Sequence, residues 1–258
     1  MEVVELSASS GDAIIISQAL NITEAARSSE TTLRLMGAVA IRVHCRTHEE
    51  LLIDLDRHLS DIDFMCYSRE ESRVARLMSK LGYERKRFLS MGTERHIYEE
   101  REEGSAVDVF FDELRMCHTI NFRNRLAIDY PTISLADLLL EKLQIVQIGE
   151  KDLKDMAVLL REHDVGEQGR ETVDAKYTSA LLSKDWGFYY TVTSNLKKLA
   201  AFVEGNPSIP RDDALNVTTK INKLIEAFEG ETKSMQWKMR ARIGTKRKWY
   251  TDVENVLR

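Results

Sequence analysis

Short apolar runs alternate with segments of three- and four-residue apolar spacing over the first half of the chain, and over the second half only the longer spacing remains. Leu33 to Met36 reads as a short strand ending at Gly37, and Ala38 to Cys45 continues with the spacing of a helix. Asp61 to Tyr67 is a second run of strand length with charge only at its start. Arg69 to Leu81 then reads as an amphipathic helix closed by Gly82. From Tyr83 to Phe111 the runs shorten: Arg87-Phe88-Leu89, His96-Ile97-Tyr98, a Glu-rich turn around Gly104, then Ala106 to Phe111. Short runs separated by Gly and polar clusters predict antiparallel strands continuing the same sheet.

After Pro131 the pattern becomes helical. Ser134 can cap a helix carrying Leu135, Leu138, Leu139, Lys142, Leu143 and Val146, ended by Gly149 and followed by a second helix from about Lys151 to His163. The polar, glycine-containing stretch Val165 to Arg170 is the best boundary, dividing the chain into 1–165 and 166–258. Beyond it, segments from about Asp174 to Val203, Arg211 to Phe228 and Thr232 to Ile243 predict a small helical bundle. The expected fold class is α/β (α+β): a mixed sheet with flanking helices, then a helical C-terminal region.

Composition narrows this picture without redirecting it. With 43% apolar and 31% charged residues and only 3 Pro, disorder is excluded. The 37 Lys and Arg against 42 Asp and Glu give a net charge of −5, so any nucleic-acid contact must be local. Met1 to Glu5 lacks a basic signal-peptide start and no run reaches membrane-spanning length, from which a cytoplasmic protein without membrane contact is expected. Cys45, Cys66 and Cys117 are odd in number and lack C-x-x-C spacing, so reduced, buried thiols are expected. Zinc at His44-Cys45 or Cys117-His118 is disfavoured, because neighbours on a strand point to opposite faces.

The chemistry concentrates in acids. Asp61 and Asp63 lie two apart at the start of a strand, so the pleat sends both carboxylates to one face while Ile62 and Phe64 point inward. Close carboxylates repel unless a cation lies between them, and oxygen donors suit Mg2+ or Mn2+. Asp108, alone in Val107-Asp108-Val109-Phe110-Phe111, needs a cation, a hydrogen bond or exposure. Three carboxylates around two ions suit in-line attack on a nucleotide α-phosphate. Gly37 would let the backbone approach phosphate, with the following helix N-terminus supplying N–H groups.

Met36-Gly37-Ala38, Ser60-Asp61-Ile62-Asp63 and Val107-Asp108-Val109 resemble the signature of the DNA polymerase β-type nucleotidyltransferase superfamily. Glu141-Lys142-Leu143-Gln144 with Glu150-Lys151-Asp152-Leu153-Lys154-Asp155 is similar to its abortive-infection AbiEii toxin branch and the relatives of that branch. The resemblance covers about residues 33–164. It implies a nucleotidyltransferase-type sheet in which Asp61 and Asp63 bind metal and Asp108 completes the site and assists deprotonation of the attacking hydroxyl. Lys142 would reach nucleotide phosphates, with Asp152 as active-site support and Ser60 bonding phosphate or the strand end. It also implies an NTP substrate, transfer of a nucleoside monophosphate to an RNA end, a protein or a small molecule, and a cognate antitoxin or partner protein as a further expectation. Ala38 departs from the pattern, standing where relatives carry a second Gly or a Ser. That departure keeps open a weakly active or inactive binding module.

Blander assignments stand beside these. Lys142 could snorkel over apolar surface, Asp152 and Asp155 could cap a helix, and His96 and His118 are taken as packed residues without a role. Lys238, Arg240, Arg242, Lys246, Arg247 and Lys248, flanked by Trp237, Trp249 and Tyr250, could contact RNA or form a solvated face with tryptophans packed inward. A D-x-D glycosyltransferase fits poorly with only 60 residues ahead of Asp61. A haloacid-dehalogenase-type phosphatase fits poorly with His58-Leu59-Ser60 there.

Overall fold

The computed structural model describes residues 10–86, 95–100, 106–167, 169 and 171–253. The run Arg87-Phe88-Leu89, the turn around Gly104 and the segment Met1 to Glu5 lie outside the described residues. By packing, the chain forms two units, Met1–Leu114 with Asn121–Ser134, and Arg115–Ile120 with Leu135–Arg258.

In the first unit, β1 (Leu33–Met36), β2 (Ile62–Cys66), β3 (Tyr83–Arg85), β4 (Arg95–Glu100) and β5 (Val107–Phe111) make one sheet in the order β1-β2-β5-β4-β3. β2 and β5 run parallel, and every other pair is antiparallel, so the sheet is mixed. The parallel pair sits at the centre, where Ile62, Phe64, Val107 and Val109 are fully buried. Near-continuous apolar runs are what a doubly covered central strand requires. Covering helices are α1 (Ser10–Ser28), which packs on β1, and α2 (Gly37–His44), which packs on β1 and β2. The short α3 (Glu49–Asp54) precedes β2, and α4 (Glu71–Lys80) follows a 3-10 turn at Ser68–Glu70. Gly82, with φ +90°, ends the α4 turn.

Two further strands, β6 (Glu113–Arg115) and β7 (Thr119–Asn121), pair with each other. The second unit holds α5 (Leu135–Leu143), α6 (Glu150–Glu162), α7 (Ala175–Leu182), α8 (Trp186–Gly205), α9 (Arg211–Gly230) and α10 (Met235–Ile243). Val217, Ile221, Leu224 and Phe228 are spaced four, three and four apart, form the buried stripe of α9, and pack towards α8, where Leu196, Leu199 and Val203 are buried. Each such burial contributes about 2 kcal/mol. α5 and α6, which fall in 1–165 when the chain is divided at the glycine stretch, pack here with α8 and α9.

Three details differ from the pattern-based reading. The helix expected over Asp174 to Val203 is two, because Asp185 accepts the Phe188 N–H at 3.1 Å and starts α8 afresh. α5 stops at Leu143, before Val146, where the buried Asn195 amide donates to the Leu143 and Ile145 carbonyls at 2.9 and 2.8 Å. The stretch after Asp164 is not bare linker: β8 (Asp164–Gly166) pairs in parallel with β9 (Thr172–Asp174), burying Val165 and Val173. No helix among the described residues is long and apolar enough to cross a membrane.

Candidate metal centre

The sheet brings the three acids together. Asp63 on β2 lies in register with Met36 of β1 on one side and with Asp108 of β5 on the other. Asp61 stands one residue before β2, and one carboxylate oxygen from each of Asp61, Asp63 and Asp108 lies within 4.8 Å of the others. Asp61 and Asp63 are half-buried and Asp108 is only 2% exposed. Ionised carboxylates at that separation repel by roughly 3 kcal/mol per pair at an effective dielectric constant of about 20. An all-oxygen donor set of this charge fits a hard divalent cation.

Gly37 carries φ +69° at the start of α2, and a Cβ built there would sit 2.6 Å from Asp63 Oδ2. Two constraints therefore coincide at this residue: a left-handed backbone and a close approach to an acid of the cluster. Gly37→Ala is expected to lower stability by about 1–2 kcal/mol through the φ penalty. It should also displace the Asp63 carboxylate, so that Mn2+ binding followed by electron paramagnetic resonance weakens more than denaturation shifts. Ala38 lies in the first turn of α2, half-buried, and brings an amide but no hydroxyl. The Ser60 hydroxyl donates to Asp61 Oδ1 at 2.5 Å, which gives it a partner inside the acid cluster.

Arg95 is a residue that pattern reading missed. On β4, its guanidinium pairs with Asp108 Oδ2 and stacks over the Phe110 ring at 5.4 Å. The isolated acid in β5 is thus buried against a cation of the chain itself, as the cost of an unpaired buried charge requires. Only the β4–β5 register, which places Ile97 opposite Asp108, reveals this.

In the second unit Lys142 bonds Asp152 Oδ1 at 3.0 Å and Asp155 Oδ2 at 3.1 Å. Burial alone would lower the Lys142 ammonium pKa, but Asp155, Asp152 and Glu141 together hold it above the ordinary lysine value. The side chain is 12% exposed and does not snorkel, and Asp152 and Asp155 serve it as counter-ions.

His96 and His118 and the three cysteines are buried. His118, stacked on Phe188 at 4.8 Å and bonded to Thr191 at 2.9 Å, is pushed down to about 4 by burial. His96 is lowered by burial and by Arg85, and lies 3.0 Å from Glu71. Cys45, Cys66 and Cys117 are buried thiols outside any disulfide, and burial pushes the Cys66 thiol up to about 12.

The aromatic residues near the basic C-terminal segment are half-buried and pack against neighbouring rings. Trp249 packs edge-on to Trp186 and Tyr190 and donates to Thr191 at 3.1 Å, and Trp237 packs on Tyr189. Arg240 is also engaged, over Trp186 at 4.8 Å and donating to the Gly244 and Arg247 carbonyls at 2.7 Å each. Lys238, Arg242, Lys246, Arg247 and Lys248 are exposed, with Lys248 paired to Asp252.

No protein-family model and no curated protein matches the chain. Among solved structures, the chain is similar to the solution structure of the antibiotic-resistance factor ANT(2'')-Ia, at 10% identity over 84% of this chain and 96% of that one, with a TM-score of 0.34. A likeness that slight carries no argument about chemistry.

Proposed function

We propose that the chain transfers a nucleoside monophosphate from an NTP to a hydroxyl acceptor, using Asp61, Asp63 and Asp108 as ligands for Mg2+ or Mn2+. The observation that carries this reading is the convergence of three carboxylates beside the glycine that opens α2. Bound there, a divalent cation would neutralise the acids and the phosphate charge that builds up during transfer. The amides of Gly37 and Ala38 at the start of α2 would orient phosphate oxygens. Asp108 would take the acceptor hydroxyl's proton as its oxygen bonds the α-phosphorus and the bond to pyrophosphate breaks. Ser60 would hold the Asp61 carboxylate in place. Lys142 and Asp152 enter as a nucleotide-binding proposal resting on the sequence resemblance alone.

The test is thermal denaturation with ATP, GTP, CTP or UTP, with and without Mg2+. At least one NTP should raise the melting temperature only when Mg2+ is present, and Asp63→Asn should remove the rise. Stabilisation indifferent to Mg2+ and to Asp63 would contradict the proposal. Stabilisation without any transfer would favour the binding-module reading that Ala38 keeps open.

For the acceptor we propose RNA, held by phosphate contacts to the exposed cations of the Lys238–Lys248 segment. Neutralising Lys238, Arg242, Lys246 and Arg247 together, and sparing Arg240 for its structural bonds, should flatten the salt dependence of RNA binding. An identical salt slope in the fourfold variant would return the segment to a solvated face.

A further inference from the structure

Two of the three clustered acids lie within the sheet, and the third stands one residue before it, held on its C-terminal side by the Ile62 N–H bond to the Ala106 carbonyl at 3.0 Å. Asp63 and Asp108 are fixed by ladder register, whereas Asp61 belongs to the connection between α3 and β2, outside the strand. That connection is held at two backbone points by one buried ion pair. Asp12, in the first turn of α1, accepts the Leu59 N–H on Oδ1 at 3.0 Å and pairs through Oδ2 with Arg42 of α2 at 3.2 Å. The same Arg42 Nη2 donates to the Arg57 carbonyl. The two side chains are 6% and 3% exposed.

We propose that the Asp12–Arg42 pair is a positioning device for Asp61. It grips the backbone at residues 57 and 59 and so sets where the Asp61 carboxylate stands relative to Asp63 and Asp108. The inference rests on the metal-site reading above. Its physical basis is that a buried ion pair is seldom a net stabiliser compared with apolar residues of similar size, yet it satisfies backbone groups that a connection outside the sheet cannot satisfy by a ladder. A ligand set tolerates displacement of only about 0.5 Å, and a connection without a clamp exceeds that readily.

Because neither charge is left behind, the double variant Asp12→Leu/Arg42→Met removes the clamp without burying a lone ion. Asp12→Glu keeps the pair and moves the acceptor away from the Leu59 N–H. Mn2+ titration followed by electron paramagnetic resonance, at a temperature where circular dichroism shows each protein folded, reads the outcome. The double variant is expected to bind Mn2+ about tenfold more weakly, the lower end of what supporting partners of metal ligands contribute. Asp12→Glu should weaken it by a smaller factor. The Mg2+ concentration needed for NTP-dependent thermal stabilisation should rise in parallel, with full stabilisation recovered at saturating Mg2+. If the double variant does not fold, Asp12→Glu carries the test. A lowered melting temperature with wild-type Mn2+ affinity in the folded variants overturns the clamp, because that is what a merely structural pair would give. A wild-type protein that binds no Mn2+, or binding that survives Asp63→Asn, instead overturns the metal-site reading, and the clamp with it.

Discussion

Asp61→Asn and Asp63→Asn proteins are each expected to lose nucleotide transfer by on the order of 10³-fold while melting at or above the wild-type temperature. The two effects have one cause. Each substitution removes a ligand charge from a cluster whose oxygens lie within 4.8 Å, so cation binding is lost and carboxylate repulsion is relieved together. Rate measurements on labelled NTP and calorimetric melting of both variants separate the alternatives. Wild-type transfer in either would remove the assignment, and a large fall in melting temperature would make the pair a structural feature.

Replacing Lys142 by Met is expected to cost about 3–5 kcal/mol of stability, the range for breaking a buried ion pair by removing one partner. A lysine set among Leu138, Leu139, Leu143 and Val146 invites the opposite expectation, that methionine would keep the apolar stem at little cost. The structure overturns that expectation, because Asp155 is 3% exposed and would be left facing the methionine. The pH dependence follows from the sign of the shift. The Lys142 pKa is raised in the folded state, so its contribution is fully present at neutral pH and fades only as pH rises through that raised value. Urea unfolding of both proteins at neutral pH checks this, and equal stability there would show that the ion pair contributes nothing. At a temperature where the variant is folded, unchanged NTP dependence of its thermal shift would also remove Lys142 and Asp152 from the nucleotide site.

The convergence of Asp61, Asp63 and Asp108 was legible because strand alternation is local: two acids flanking Ile62 must share a face, and a lone acid within an apolar strand must find a partner. Gly37 was legible as the glycine that closes β1. Which partner Asp108 has was not legible, since Arg95 reaches it through a strand register that no local pattern encodes. α1 went unread because Ile14-Ile15-Ile16 is a β-branched run without clean helical spacing, and Ile14 is 58% exposed in the structure. With α1 went Asp12, whose bond to the Leu59 N–H joins positions 47 apart in sequence. The break between α7 and α8 did carry a local signal in Asp185, a helix-capping type that continuous apolar spacing on both sides obscured.

The most direct test of the central claim uses two radiolabels on the same NTP, one at the α-phosphate and one at the γ-phosphate, incubated with the protein, Mg2+ and a mixture of cellular RNA and metabolites. The account predicts that the α-label enters an acceptor while the γ-label leaves as pyrophosphate, only with Mg2+ and not with Asp63→Asn protein. Transfer of the γ-label, release of it as inorganic phosphate, or α-label incorporation that persists in Asp63→Asn protein would contradict it.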